Sequence, residues 1–201
     1  MRLTTFALRM YDGYMKILCE ISTRHVHLCK AHVEALFGEE LEHVRDLSQP
    51  GQFLAKQRVS LVGPKNTLEN VAVLGPARPE TQVELCRTDT FALGLKNIPL
   101  RESGDLLDTP GMKLRAGERE VTIDRGVIVC NRHIHLDPKT AEDFGIVDKQ
   151  IVKIKFDGPR GGVLDNTVVR VSKDFAPAIH IDADEGNAIG FVCGTDVEII
   201  K

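Results

Sequence analysis

The sequence predicts a mainly β fold with a few helices, built as two β-barrel domains that are each capped by helix and related by internal duplication. Three observations carry this. Segments that alternate or are rich in β-branched residues recur along the chain, at 58–62, 70–74, 82–85, 121–130, 150–156, 167–171, 178–181 and 197–200. Only two stretches, Lys30 to Phe37 and Pro138 to Phe144, read as convincing helices, which excludes regular βαβ winding and favours closed or half-closed barrels. The segment Arg24-His25-Val26-His27-Leu28 returns 108 residues later as Arg132-His133-Ile134-His135-Leu136, and each copy runs into its helix and then Phe-Gly.

Residues 1–15 read as an N-terminal extension. Leu3, Phe6, Ala7, Met10 and Tyr14 fall at helical spacing around a stop at Asp12-Gly13, which suits either a frayed tail or a short docking helix. The strand at Ile17 to Ser22 could join either half. Asp137 and Pro138 supply the N-cap and first position of the second helix. Further on, Asp89-x-x-Ala92-Leu93-Gly94 resembles Asp184-x-x-x-Ala188-Ile189-Gly190 at an offset of 96, so the first copy carries the longer loop. Gly104, Pro110, Gly111 and Gly117 mark a junction near 101–126, and contiguous residues alone place the halves at 24–125 and 126–201. Gly158 to Gly162 reads as a hairpin turn.

Composition narrows the function classes. Of 201 residues, 42% are hydrophobic and 27% charged, which are globular values rather than those of a disordered chain. A net charge of −3, no Trp and 2 Tyr offer neither a basic surface nor a stacking platform, so no nucleic-acid partner is expected. No apolar run approaches a membrane span, and Arg9 interrupts the N-terminal apolar stretch, so neither a membrane nor a secretory signal is expected. Five scattered cysteines without a C-x-x-C pair fit a reducing compartment rather than a disulfide framework.

On a strand, residues i and i+2 share a face, so two imidazoles spaced His-x-His can reach one metal ion. One such pair is weak; four of the seven histidines at matching positions, His25, His27, His133 and His135, are not. The offset of 96 sets Glu84 opposite His180, giving each half three candidate ligands: His25, His27 and Glu84, then His133, His135 and His180. Three protein ligands leave a position for water or substrate, the pattern of a catalytic zinc site. His32 and His43 have no repeated counterpart and read as surface or helix-packing residues. Ser22, Arg24, Arg78, Gln82, Ser103, Arg132 and Arg170 are suited to an anion, Arg78 most of all, because it sits in the turn before the strand carrying Glu84. No Walker loop, G-x-G-x-x-G or G-x-S-x-G is present.

Ser22 to Leu28, Cys130 to Leu136, Val71 to Pro76, Gln82-Val83-Glu84 and Thr88 to Gly94 together resemble the PduL-type phosphotransacylases, and the similarity runs from about residue 16 to 201. That resemblance implies two helix-capped β-barrels, one at 24–131 and one at 132–201 joined by the N-terminal strand 16–23, with a two-metal site between them. It implies a phosphate acyltransferase that converts acetyl- or propanoyl-CoA and inorganic phosphate to acyl phosphate and coenzyme A by direct transfer. Two Zn2+, or other divalent ions, would be held by the six ligands above. Arg78 would be the catalytic arginine, and Ser22, Gln82, Ser103 and Arg170 would contact phosphate or coenzyme A. A cytoplasmic homodimer is implied, in some members enclosed by a bacterial microcompartment shell, as in propanediol degradation. The same ligands would also suit a two-zinc hydrolase, or a non-catalytic barrel stabilised by metal.

Overall fold

The computed structural model describes residues 9–11 and 14–201. In chain order the elements are β1 (Arg9–Tyr11), β2 (Tyr14–Ser22), β3 (His25–His27), α1 (Lys30–Phe37), β4 (His43–Asp46), β5 (Phe53–Val62), β6 (Thr67–Gly75), β7 (Gln82–Leu85), α2 (Arg87–Leu93) and β8 (Leu100–Arg101). They continue as β9 (Met112–Ala116), β10 (Arg119–Ile123), β11 (Val127–Cys130), β12 (His133–Leu136), α3 (Pro138–Phe144), β13 (Ile151–Phe156), β14 (Gly162–Val171), β15 (Ala178–Asp182), α4 (Ala183–Ile189) and β16 (Thr195–Ile200). The chain divides into two compact units, one formed by the described residues up to 22 with 132–201 and the other by 23–131.

The first unit is a closed barrel. Its strands run β2-β15-β12-β14-β13-β16, and β16 pairs back onto β2, so the sheet has no free edge along this path. Strand β13 shows the period that builds it: Val152, Ile154 and Phe156 are buried, while Ile151, Lys153 and Lys155 face solvent. The three buried residues join Ile17, Cys19, Ile134, Leu136, Val169, Ile179, Ile181, Val197 and Ile199 in one core.

The second unit is a curled sheet that does not close, ordered β10-β9-β5-β6-β3-β7-β11-β8, with β4 on β5. Its core gathers Val26, Leu28, Val59, Leu61, Val71, Val73, Val83, Leu85, Leu114 and Val127. The expectation of two barrels therefore resolves into one closed and one half-closed sheet. In both units the His-x-His strand is central: β3 lies parallel to β6 and antiparallel to β7, and β12 lies parallel to β14 and antiparallel to β15. Strands buried at every position, as β3 and β12 are, carry their histidines into the interior.

Both expected helices occur with the expected bounds, and each ends on a glycine in the left-handed region, Gly38 at φ 69° and Gly145 at φ 59°, which explains the repeated Phe-Gly. Two further seven-residue helices, α2 and α4, follow β7 and β15. The sequence signals for them, Asp182-x-x-Glu185 as a capping box and Gly94 and Gly190 as C-caps, are short-range and easily passed over in so few residues.

Three expectations need correction. The helix spanning Leu3 to Tyr14 does not form at its described positions, because Arg9–Tyr11 pairs antiparallel with Tyr14–Lys16; the rest of it lies outside the described residues. Asp-Gly between two tyrosines is as good a hairpin signal as a helix stop. The single strand 121–130 is two, broken before Gly126 at φ 114°, where an added Cβ would meet the Thr81 carbonyl oxygen at 2.4 Å. Residues 101–126 are not a linker: β9 and β10 form a hairpin that extends the second unit's sheet from β5. The turn at 158–162 does connect antiparallel β13 and β14.

Candidate functional site

In the second unit, His25 stands directly opposite Glu84 and His27 opposite Gln82 across the antiparallel β3–β7 pair. His25 and His27 Nε2 lie 3.5 and 3.7 Å from Glu84 Oε1, and all three side chains are nearly inaccessible to solvent. His25 Nδ1 is 2.8 Å from the Thr23 carbonyl oxygen, which can only accept, so Nδ1 carries a hydrogen and the nitrogen left facing the carboxylate is Nε2. Two electron-rich atoms at that distance need a proton or a metal cation between them. His27 Nδ1 is buried with no hydrogen-bond partner. These three residues fit a divalent cation in donor type, burial and convergence.

The titration of the cluster follows from the same geometry. Burial opposes charge on Glu84, but the adjacent His25, with His27 and the Ser103 hydroxyl, holds its carboxyl well below the usual range. Burial pushes His25 down, yet the Glu84 charge and hydrogen bond raise it above an ordinary imidazole. His27 is driven well down by burial and then by the charges of His25 and Arg78.

A polar shelf fixes the carboxylate. Gln82, 1% exposed, donates through Nε2 to Glu84 Oε1 at 2.5 Å and to Ser103 Oγ at 2.9 Å, while its own Oε1 accepts from the Gly104 amide at 2.7 Å. Ser103 Oγ donates to Glu84 Oε1 at 2.9 Å and accepts from Arg78 Nη1 at 3.1 Å. Arg78 is itself placed by its backbone amide, which donates to the Leu28 carbonyl one residue past His27. Arg78, Gln82, Ser103 and Glu84 thus form one connected network, with Gln82 and Ser103 against the carboxylate.

In the first unit, His133 faces His180 across β12–β15. The three imidazoles form a near-equilateral triangle, with ring centroids 4.7 Å apart for His133–His135, 5.1 Å for His133–His180 and 5.0 Å for His135–His180. Their nitrogens converge closely enough to hold one metal ion. Phe175, which no sequence signal singles out, stacks on His135 at 4.1 Å, and the Arg170 guanidinium lies 5.5 Å from the Phe175 ring centroid. Arg170 is also the Cα partner of His135 across β12–β14. Ser22 ends β2, paired with Asp182 one strand from β12.

Arg24 and Arg132 have a different use from the anion contact their position suggests. Arg24 Nε donates to Asp89 at 2.7 Å, and Arg132 Nε donates to Glu185 at 2.6 Å. Each acid also accepts from the backbone amide of its helix N-cap residue, Cys86 or Asp182, at 3.0 Å. The arginine of each Arg-His-x-His segment is therefore a strut from the histidine strand to the helix that follows the third ligand. His32 bonds Thr81 Oγ1 at 2.8 Å, and exposed His43 pairs with Asp46 at 2.7 Å; neither belongs to a cluster.

Among the described residues no helix is long and apolar enough to cross a membrane. Comparison with known proteins then fixes the family. A phosphate propanoyltransferase family model matches residues 18–192. The chain is 50% identical over 184 residues to the phosphate propanoyltransferase of Listeria monocytogenes, covering 90% of this chain and 86% of that one. It is 50% identical over 184 residues to the Clostridioides difficile protein of the same name, with coverage of 90% and 88%. The Thermotoga maritima phosphate propanoyltransferase is 47% identical over 188 residues, with coverage of 92% and 89%. A match of this extent, spanning both histidine strands and both third-ligand strands, places the chain in the phosphate propanoyltransferase family of acyltransferases.

Proposed function

We propose that this chain converts acetyl- or propanoyl-CoA and inorganic phosphate to acyl phosphate and coenzyme A by direct transfer, with a zinc ion at each three-residue cluster. The observation that carries the reading is the pair of three-ligand clusters, one of them joined through Ser103 to Arg78. His25, His27 and Glu84 would hold one ion and His133, His135 and His180 the other, each with a coordination position left over. Bound there, a divalent cation would polarise the thioester carbonyl and stabilise the charge that develops on its oxygen.

The chain's own residues supply the rest. Arg78 presents a fixed guanidinium beside the first cluster and orients phosphate, whose oxygen forms the new bond to the carbonyl carbon as the carbon–sulfur bond breaks. The electron pair leaves on coenzyme A sulfur as thiolate. Gln82 and Ser103 hold Glu84 in its orientation, and Arg170 adds a second cation beside the second cluster, consistent with a role toward phosphate or coenzyme A. Ser22 is assigned to the same contacts on the resemblance alone. No side chain is assigned as a covalent nucleophile.

We read the two compact units as domains, 24–131 and 132–201 with strand 16–23, and their shared strand order as an internal duplication. A homodimer working in the cytoplasm or within a microcompartment shell is supported by the resemblance alone. The deciding experiment is thiol release from acetyl- and propanoyl-CoA with and without phosphate, combined with metal analysis. Phosphate-dependent release with acyl phosphate as product is expected. Phosphate-independent release would make the chain a hydrolase, and an acyl group trapped on cysteine would overturn direct transfer.

A further inference from the structure

We infer that Glu20 is a positioning residue for the three-histidine cluster: an outer carboxylate that orients His180 and supplies the negative charge its ligand set lacks. This rests on the metal-binding reading above. Strands β2, β15 and β12 are neighbours, and their registers set Glu20, His180 and His133 in one rank across the sheet. Glu20 Oε2 lies 3.9 Å from His180 Nδ1, and both side chains are largely sheltered, at 30% and 14% exposed. Glu20 falls outside the converging ligand group itself, so it addresses the histidine rather than the space the histidines surround.

The other unit shows the complementary arrangement. There β11, β7 and β3 are neighbours in the same relative directions, and the rank reads Ile128, Glu84, His25. Ile128 precedes His133 by five residues, as Glu20 precedes His25 by five, so the two are counterparts in the repeat. Where the ligand is a carboxylate, the outer position is a fully buried isoleucine; where the ligand is an imidazole, the outer position is a glutamate. Each rank thus holds one carboxylate, displaced outward by one strand in the first unit. A neutral three-imidazole set binds a dication with no charge compensation of its own. A carboxylate facing the far nitrogen of a ligand histidine fixes its tautomer, raises its basicity and restores that charge.

The test is metal affinity, measured on the full-length protein with zinc and a competing chromophoric chelator. Two equivalents are expected in the unmodified protein, and in Glu20→Gln one of them should weaken by about 10–100-fold while the other is unchanged. Glu20→Asp, which keeps the charge, should recover part of the loss. In a His180→Ala background, where the site is already disabled, Glu20→Gln should leave the remaining equivalent unaltered. Two equivalents of unchanged affinity in Glu20→Gln would overturn the inference and leave the metal reading intact, whereas fewer than two in the unmodified protein would overturn the metal reading itself. Should Glu20→Gln fail to fold, Glu20→Ala, which also removes the charge, decides: full affinity with a lowered melting temperature would mean a purely structural role.

Discussion

His25 and Glu84 face each other directly across β3 and β7, and because Nδ1 is taken by the Thr23 carbonyl, the nitrogen turned toward the carboxylate is Nε2. An arrangement of this kind is poised for a cation. Glu84→Gln preserves the side-chain volume and the contacts to Gln82 and Ser103 while removing the charge. It is expected to lose tight binding of one zinc equivalent and at least about 100-fold of turnover, with the fold retained. Metal analysis and circular dichroism check this; a variant with full zinc content and activity would remove Glu84 from the ligand set.

Without metal, the raised His25 and the depressed Glu84 hold a proton between them as an ion pair. A cation must displace that proton. The sign follows: below the raised pKa of His25 each unit of acidification costs about tenfold in apparent affinity for the site, and above it the affinity levels off. Because His25 is raised above the ordinary 6.5, the fall begins at a higher pH than free imidazole would give. Chelator competition between about pH 6 and about pH 8 tests it, and a flat profile would contradict it.

How much of this was legible beforehand depends on the range of the signal. The repeated His-x-His and the matched third ligands were readable because each depends only on period two along a strand and on an offset between copies. The bounds of α1 and α3 were readable because Phe-Gly and Asp137-Pro138 are local stop and start signals. The pairing of β16 with β2 was not, since partners so distant in sequence leave no local trace; only the family resemblance put strand 16–23 with the second half. Nor was the role of Arg24 and Arg132. A motif arginine beside metal ligands looks like an anion contact until the fold brings Asp89 and Glu185 within reach. In the sequence Gln82 and Ser103 read as groups suited to an anion; that they hold Glu84 only the loop at 103–104 reveals.

Arg78 and Arg24 therefore separate in their mutants. Arg78→Ala removes a cation from beside the first cluster and is expected to cost about 10²–10³-fold in turnover with zinc content intact. Arg24→Ala leaves Asp89, 3% exposed at its side chain, without its guanidinium, and is expected to cost about 1–2 kcal/mol of stability, discounted because Arg24 itself is half exposed. Turnover and urea denaturation on the two variants decide the matter. Equal losses in both assays would mean the two arginines share one role.

Asp137 tests whether the helix after β12 matters for more than packing. Its carboxylate caps α3, accepting from the Thr140 amide at 3.0 Å and the Thr140 hydroxyl at 2.6 Å. Partial desolvation pushes its pKa up, but those bonds prevail and hold it below the usual 3.8. A folded-state value depressed in this way gives stability that is complete above the unfolded value and is lost as pH falls through the folded one. Asp137→Ala should cost about 1 kcal/mol near neutrality, and the gap between variant and parent should close on acidification below about pH 4. Because only Asp137 separates the end of β12 from the start of α3, the same change should also loosen the position of His135, two residues before the cap. A small drop in zinc affinity alongside the stability loss is the expected result, measured by denaturation and chelator competition on the same samples; a stability loss with unaltered affinity would confine Asp137 to the helix.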